Sequence, residues 1–476
     1  MDLKKLFSVR DVTQGRPWKR IAELAIPLLI GNLAQTLYNT VDTIVVGKYV
    51  GDNALSAVGA SGPIMNLIFI MFIGVATGAS ILVAQRFGAK DREGLSEVIG
   101  NVMFLSVVSS FVTAAIGLLL VHVPLFGGKD ILQLMNTPEG DIYNWSKEYL
   151  TVIFIGVLGG IVYNMVAGIL RGLGDSVSAL VYLLITCGLN IALDLWFVAG
   201  FGLGVFGVAL ATVISQFISC ILCVIKLFRM NHVFDFSLSS LKPDGKVVGN
   251  ILGLGMPAGI GQGIRAMSAV LVQSLTNSMG PIVMACSVMV MRIDSFAMMP
   301  YMSIGTAMTT YAGQNYGAKK LERLETGGRQ GIIMSLLTAA VLTSCILIFG
   351  RPLARIFTQT EELIDLTIRM LRVMAAGYLV NGMAMALQGF LRGVGDTKNP
   401  MWINIMTQIL LRLPLAYLLA RLTRTAEFPH GQAHALFLSL VTSWVVGAFA
   451  SVFFYMKNKK KLRESADDTW QTTYEE

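Results

Sequence analysis

The chain has 476 residues, 54% of them hydrophobic and 14% charged, with a net charge of +8 and a mean hydropathy of +0.65. A soluble domain carries roughly a quarter of its residues as charged side chains. Half that density cannot solvate a protein of this size, which excludes a nucleic-acid binder, a disulfide scaffold and a disordered chain. It points to an all-α integral membrane protein.

Apolar runs place twelve spans at about 20–47, 55–84, 96–122, 143–169, 178–200, 204–228, 248–278, 283–312, 329–350, 363–390, 399–423 and 434–456. Only helices satisfy their own backbone over such lengths in lipid. Alternate loops counted from the N-terminus hold 25 of the 37 Lys and Arg, including Lys4 and Lys5. The opposite set holds Lys48, Lys129, Arg351, Arg355, Arg421 and Arg424. The basic excess marks the cytoplasmic side, so both termini are expected there. Lys457, Lys459, Lys460, Lys461 and Arg463 read as an anchor on anionic lipid. The apolar run behind the first basic residues is too long for a cleaved signal.

The first span carries Asn32, Gln35, Asn39 and Asp42 at spacings of 3, 4 and 3, one stripe of a helix. Asn190 and Asp194 share a face of the fifth span, and Thr212 begins a polar patch with Ser215 and Gln216 in the sixth. At about 1.5 Å per residue, Asp42 lies roughly 33 Å and Asp194 roughly 24 Å up ascending helices, with Thr212 roughly 12 Å down a descending one. All three depths fall in the outer half of the membrane, so one polar site in the N-terminal half is geometrically open to them. Two carboxylates in a partly dry place cannot easily both stay ionised. Gln35, Tyr38, Asn39 and Asp42 are the candidate cargo contacts. The second half differs. Arg265, Arg292 and Arg412 lie inside its spans with Asp294 as the nearby acid, and Arg292 and Asp294, two apart, cannot face each other on one helix.

The halves repeat. Gln85-Arg-Phe-Gly-Ala-Lys90 returns as Gln314-Asn-Tyr-Gly-Ala-Lys319, and Arg171-Gly-Leu-Gly-Asp175 returns as Arg392-Gly-Val-Gly-Asp396. An even number of spans per half makes such repeats parallel. The expected organisation is an N-terminal six-helix lobe at 1–228, a cytoplasmic linker at 229–247, a C-terminal six-helix lobe at 248–456 and a cytoplasmic tail at 457–476. The Arg-Gly-x-Gly-Asp segments read as turns, with glycine supplying positive φ and aspartate capping the next helix. The five cysteines sit in apolar runs as packing residues, since Cys220 and Cys223 lack the second ligand pair a zinc site needs. With no histidine inside a span, no enzyme constellation emerges.

The segment Ile26-Pro-Leu-Leu-Ile-Gly-Asn-Leu-Ala-Gln35-Thr-Leu-Tyr-Asn39-Thr-Val-Asp42, together with Gly313-Gln-Asn-Tyr-Gly317 and Leu170-Arg-Gly-Leu-Gly-Asp175, resembles multidrug and toxic compound extrusion (MATE) transporters. The resemblance spans nearly all twelve helices. It implies the two-lobed fold of that family and a monomeric antiporter in a prokaryotic inner membrane, which exports amphipathic organic cations against protons or sodium and needs no cofactor or nucleic acid. Asp42, Asn190, Asp194 and Thr212 match the coupling pattern of the DinF-like or MepA-like branch, and would also be the ligands of a sodium ion. A lipid-linked oligosaccharide flippase of the same superfamily stays open, because a basic C-terminal interior suits a pyrophosphate.

Overall fold

The computed structural model describes residues 9–124, 128–135, 137–235, 242–426 and 428–471, leaving Lys4, Lys5, the middle of the expected linker (236–241) and the end of the tail (472–476) outside the described residues. The regular structure is helical. In chain order the helices are α1 (Pro17–Tyr49), α2 (Asp52–Gly88), α3 (Arg92–His122), a single turn α4 (Ile131–Leu134), α5 (Asp141–Ile155), α6 (Val157–Gly172), α7 (Ser176–Asp194), α8 (Gly204–Phe228), α9 (Gly245–Ser278), α10 (Pro281–Gly317), α11 (Leu321–Arg355), α12 (Glu361–Gly393), α13 (Lys398–Asn404), α14 (Arg412–Leu422) and α15 (His434–Gln471). Two wider, i→i+5 bonded stretches interrupt this order, Leu195–Gly200 after α7 and Ile405–Leu411 between α13 and α14.

Among the described residues ten helical segments are long and apolar enough to cross a membrane, counting each interrupted helix as one, and α5 with α6 forms an eleventh, bent by 52°. The break falls at Gly156, where a Cβ would stand 2.3 Å from the Val213 side chain, so only glycine lets α8 come this close. The tenth expected span is α12, 33 residues long, with Asp365, Arg369 and Arg372 in its first turns. At about 1.5 Å per residue it is nearly 50 Å long, ample for a bilayer. Large apolar side chains face outward, among them Phe111, Val270, Ile348 and Phe449 at 66–72% exposure. On a soluble protein such surface would be an aggregation hazard, whereas lipid covers it without cost.

The repeat read from the sequence is reproduced in backbone detail. Gly51 (φ +111°) opens α2 and Gly280 (φ +98°) opens α10. Lys90 and Lys319, at matching places in the repeated motif, both adopt positive φ, at 56° and 53°. In the second motif Gly174 and Gly395 turn the chain at φ +81° and +94°. Asp175 accepts from the Ser178 amide at 3.0 Å, and Asp396 from that of Asn399 at 3.1 Å. These loops are turns with capped helices behind them.

Two compact units result. One comprises the chain up to Arg10 with Pro27–Gly259, the other Asp11–Ile26 with Ile260 onward. The boundaries cut within α1 and α9, next to Pro27 and Pro257. In the first unit the half-helix 245–259 lies against α2 so closely that a Cβ on Gly78 would meet the Ile251 carbonyl at 2.4 Å, and one on Gly74 the Gly259 Cα at 2.5 Å. Its core joins α2, α3, α6 and α8 through residues such as Val83, Ile99, Val166 and Cys223, with Ile251 of α9. The described parts of 229–247 belong to this unit. Arg92 grips them, pairing with Asp235 at 2.6 Å and donating to the Asn231 carbonyl at 2.7 Å. That guanidinium holds the Asp235 carboxyl below its usual 3.8. In the second unit the entering segment is held in a comparable way. The Val12 amide donates to Gln314 Oε1 at 3.0 Å, and Arg323 donates to the carbonyls of Val12 and Gly15 at 3.0 and 2.6 Å. The second core gathers Val290, Met374, Tyr378, Phe437 and Trp444.

Candidate functional site

In the first unit Asp42, Asn190, Asp194 and Thr212 come together. Asp42 is half-buried on α1, while Asp194, Asn190 and Thr212 are 0%, 1% and 6% exposed. Asp194 is the last residue of α7, immediately before the chain widens into its π-type stretch. Such a bulge rotates the succeeding residues and changes which side chains face a neighbouring helix. The carboxyls of Asp42 and Asp194 are neighbours, each within reach of the other's charge. With its amide nitrogen turned toward Asp194, Asn190 donates to Oδ2 at 2.9 Å and accepts from the Thr212 amide at 3.2 Å. That assignment follows from the network around it. Tyr38 and Thr212 lie together on one cavity wall. Asp42 Oδ1 and Asp194 Oδ1 are buried with no partner. Among the described residues neither acid has a cationic neighbour.

Beside these residues a cavity of about 230 Å³ is lined by Gln35, Tyr38, Tyr163, Asn164, Thr212 and Gln216, among others. Asn39 is exposed and bonds Gln35 at 3.5 Å rather than lining the cavity. Tyr149 of α5 is buried near Asp42 and Tyr38. Tyr149, Tyr163 and Asn164 escaped the sequence reading, although a Tyr-Asn pair inside the apolar run 157–170 is a visible polar interruption.

Sodium prefers a shell of oxygens. Asp42, Asp194, Asn190 and Thr212 carry side-chain oxygens of this kind. No group of three or more His, Cys, Asp and Glu side chains suited to a metal occurs among the described residues.

In the second unit Arg265, Asp294 and Arg412 line a cavity of about 240 Å³, together with Asn381, Gln388 and Trp444. Arg292 does not join them. It is exposed, its guanidinium 5.9 Å from the Phe357 ring, because two residues along a helix carry it away from the face that holds Asp294. Asp294 instead feels the charge of Arg412. Of the methionines crowded on α10, Met291 and Met298 reach the cavity, whereas Met289 is buried against Thr367.

The MatE family model matches residues 27–196 and 257–418, once in each repeat. The chain belongs to the MATE family. It is 30% identical over 414 residues to YoeA of Bacillus subtilis (strain 168), described as a probable multidrug resistance protein, covering 86% of this chain and 88% of the relative. It is 21% identical over 403 residues to the multidrug export protein MepA of Staphylococcus aureus (strain NCTC 8325 / PS 47), covering 84% and 87%. Among solved structures, MATE in the bent conformation superposes with a TM-score of 0.87 at 25% identity, over 95% of this chain and 98% of that one. MATE in the straight conformation gives 0.82 over the same shares. The MATE fold is thus present from end to end, with one family match per sequence repeat.

Proposed function

We propose that this MATE protein is a secondary multidrug exporter of a prokaryotic inner membrane, exchanging amphipathic organic cations for protons. The pairing of Asp42 with Asp194 beside a cavity in the first unit carries this reading. An acid pair without a cationic partner attracts a positively charged guest to the adjacent wall, where Gln35 and Tyr38 supply hydrogen bonds. Protonation that leaves the pair neutral cancels that attraction and favours release. Loss of the proton on the cytoplasmic side restores it. Cargo and proton compete for one negative charge, which is sufficient for obligatory exchange when the site opens to one side at a time.

Two acids side by side in a partly dry place cannot easily both stay ionised, which supports the proton as the exchanged ion. Thr212 and Tyr38 line the cavity beside the acids. In this reading the protein is not an enzyme, needs no cofactor, works as a monomer with both termini in the cytoplasm, and uses the repeats 1–228 and 248–456 as its two lobes. The sequence duplication and the basic excess on one set of loops support these points.

Reconstitution into vesicles with proton and sodium gradients imposed separately, against a panel of fluorescent cations, tests the proposal. A proton gradient alone should drive uptake or release, and Asp42→Asn and Asp194→Asn should each abolish it while the purified variants stay monodisperse. Near-normal exchange in both variants would dispose of the acid pair as the coupling site. Lipid translocation indifferent to either gradient would instead support the oligosaccharide flippase.

A further inference from the structure

The cavity of the second unit has the opposite polarity to that of the first. Arg265 and Arg412 line it, and the acid among its lining residues is Asp294. Arg392, at the end of α12, lies near enough to Arg265 for the two charges to repel. The acid does not balance this set. Asp294 lies in the field of Arg412 and is one acid among lining residues that include two arginines, so Arg265 is left without a counter-charge. The contact Arg265 makes with a side chain is to Met385 Sδ at 3.9 Å, and a thioether is a weak acceptor that cannot offset a guanidinium. Arg412 Nη1 reaches Ser268 Oγ and Gln408 Oε1 only at 3.4 and 3.5 Å, and its Nε is buried with no partner. A charge withdrawn from water costs several kcal/mol unless something pairs with it. Sequence and fold retain two such charges on the wall of one cavity.

The rest of the wall is apolar and amide. Met298, Met374, Phe437 and Trp444 form the greasy part, and Asn381 and Gln388 supply hydrogen bonds. A guanidinium fork recognises a carboxylate or phosphate through two parallel bonds, and thioethers with an indole accept a flexible apolar body.

We propose that this cavity is a binding site for an amphiphilic organic oxyanion, a carboxylate or phosphate monoester on an apolar body, held at its head by Arg265 and Arg412. The site is separate from the acid pair, so its occupancy does not depend on the export reading above. Arg292, pointing elsewhere, has no part in it.

Isothermal titration calorimetry on the full-length protein in neutral maltoside micelles tests this with octyl phosphate, octanoate, octyltrimethylammonium and inorganic phosphate as probes. Because every variant is measured in the same micelles, detergent partitioning cancels. Octyl phosphate and octanoate should bind, with inorganic phosphate at least tenfold weaker and the ammonium probe unable to displace them. Arg265→Gln and Arg412→Gln should each weaken octyl phosphate at least tenfold, and Arg292→Gln should leave it unchanged. Where a Gln variant fails to fold, Arg265→Lys and Arg412→Lys keep the charge but lose the fork, and should weaken binding at least threefold. Equal binding by parent and Lys variants, or by parent and Gln variants, overturns the proposal. So does inorganic phosphate binding as tightly as octyl phosphate, which would make the ligand a free ion rather than an amphiphile. Since binding is read without any gradient, this result stands or falls separately from proton-coupled efflux.

Discussion

Replacing Gly78 by alanine tests how the first unit holds the half-helix 245–259. A Cβ at this position would sit 2.4 Å from the Ile251 carbonyl, 2.6 Å from the Gly255 nitrogen and 2.8 Å from the Gly255 Cα. All three are backbone atoms of α9, so no rotamer change relieves the overlap. Ordinary carbon contacts begin near 3.5 Å, and α9 must therefore withdraw by about an ångström from α2. Overpacking of this kind typically costs about 1–3 kcal/mol. Alanine gives back roughly 1 kcal/mol by its better helix propensity, leaving a net loss of up to about 2 kcal/mol. The same exchange at Gly59, on the same helix with nothing within 4 Å of where the methyl would stand, has the gain without the clash. Thermal unfolding in detergent, followed by the monodisperse fraction surviving on size exclusion, should place Gly78→Ala several degrees below the parent, given roughly 2–4 °C per kcal/mol for units of this size. Gly59→Ala should be equal to the parent or higher. If the two variants melt together, the close approach of α9 to α2 does not hold the unit together and the reasoning fails.

Four further outcomes are expected. Asn190→Ala removes the donor at 2.9 Å from Asp194; a hydrogen bond to a charged group is worth about 1.5–3 kcal/mol, so the substrate concentration for half-maximal proton-driven efflux should shift tenfold or more in vesicle assays, and an unchanged value would free Asn190 from the site. Tyr38→Phe removes a hydroxyl from the cavity wall and should lower efflux of the fluorescent cations several-fold while leaving expression and melting temperature alone. Arg92→Ala should expose the stretch 229–235 to protease within the intact protein. Because Arg92 lowers the Asp235 carboxyl, the attachment this pair provides is complete above about pH 3.8 and is lost as the pH falls through the lowered value; the two side chains being 46% and 73% exposed, high salt at neutral pH should loosen the same stretch, and cleavage indifferent to salt would refute the electrostatic account.

The spans were legible because lipid demands long apolar helices, a signal that composition alone carries. The meeting of Asp42, Asn190, Asp194 and Thr212 was legible for a second reason. Rise per residue fixes depth, and one-turn spacing fixes the face, so helices of known direction leave little freedom about which polar groups share a level. What escaped depended on backbone detail or on neighbours remote in sequence. The widened turn after Asp194 leaves no hydropathy signature. Arg392 looked like part of a turn, and only the packing of α12 brings its charge near Arg265. The direction of Arg292 was half legible, since its spacing from Asp294 excluded a shared face, but the ring of Phe357 that receives it lies 65 residues away.

The unit boundaries at 26/27 and 259/260 bear on how this protein could ever be dissected. A chain severed at 236–241 yields fragments that are neither of them whole: the first carries Asp11–Ile26, which belongs to the other body, and the second carries 245–259, which belongs to the first. Co-produced fragments would have to trade these pieces before either could mature, so complementation, and not the behaviour of a lone half, is the meaningful outcome of a split gene.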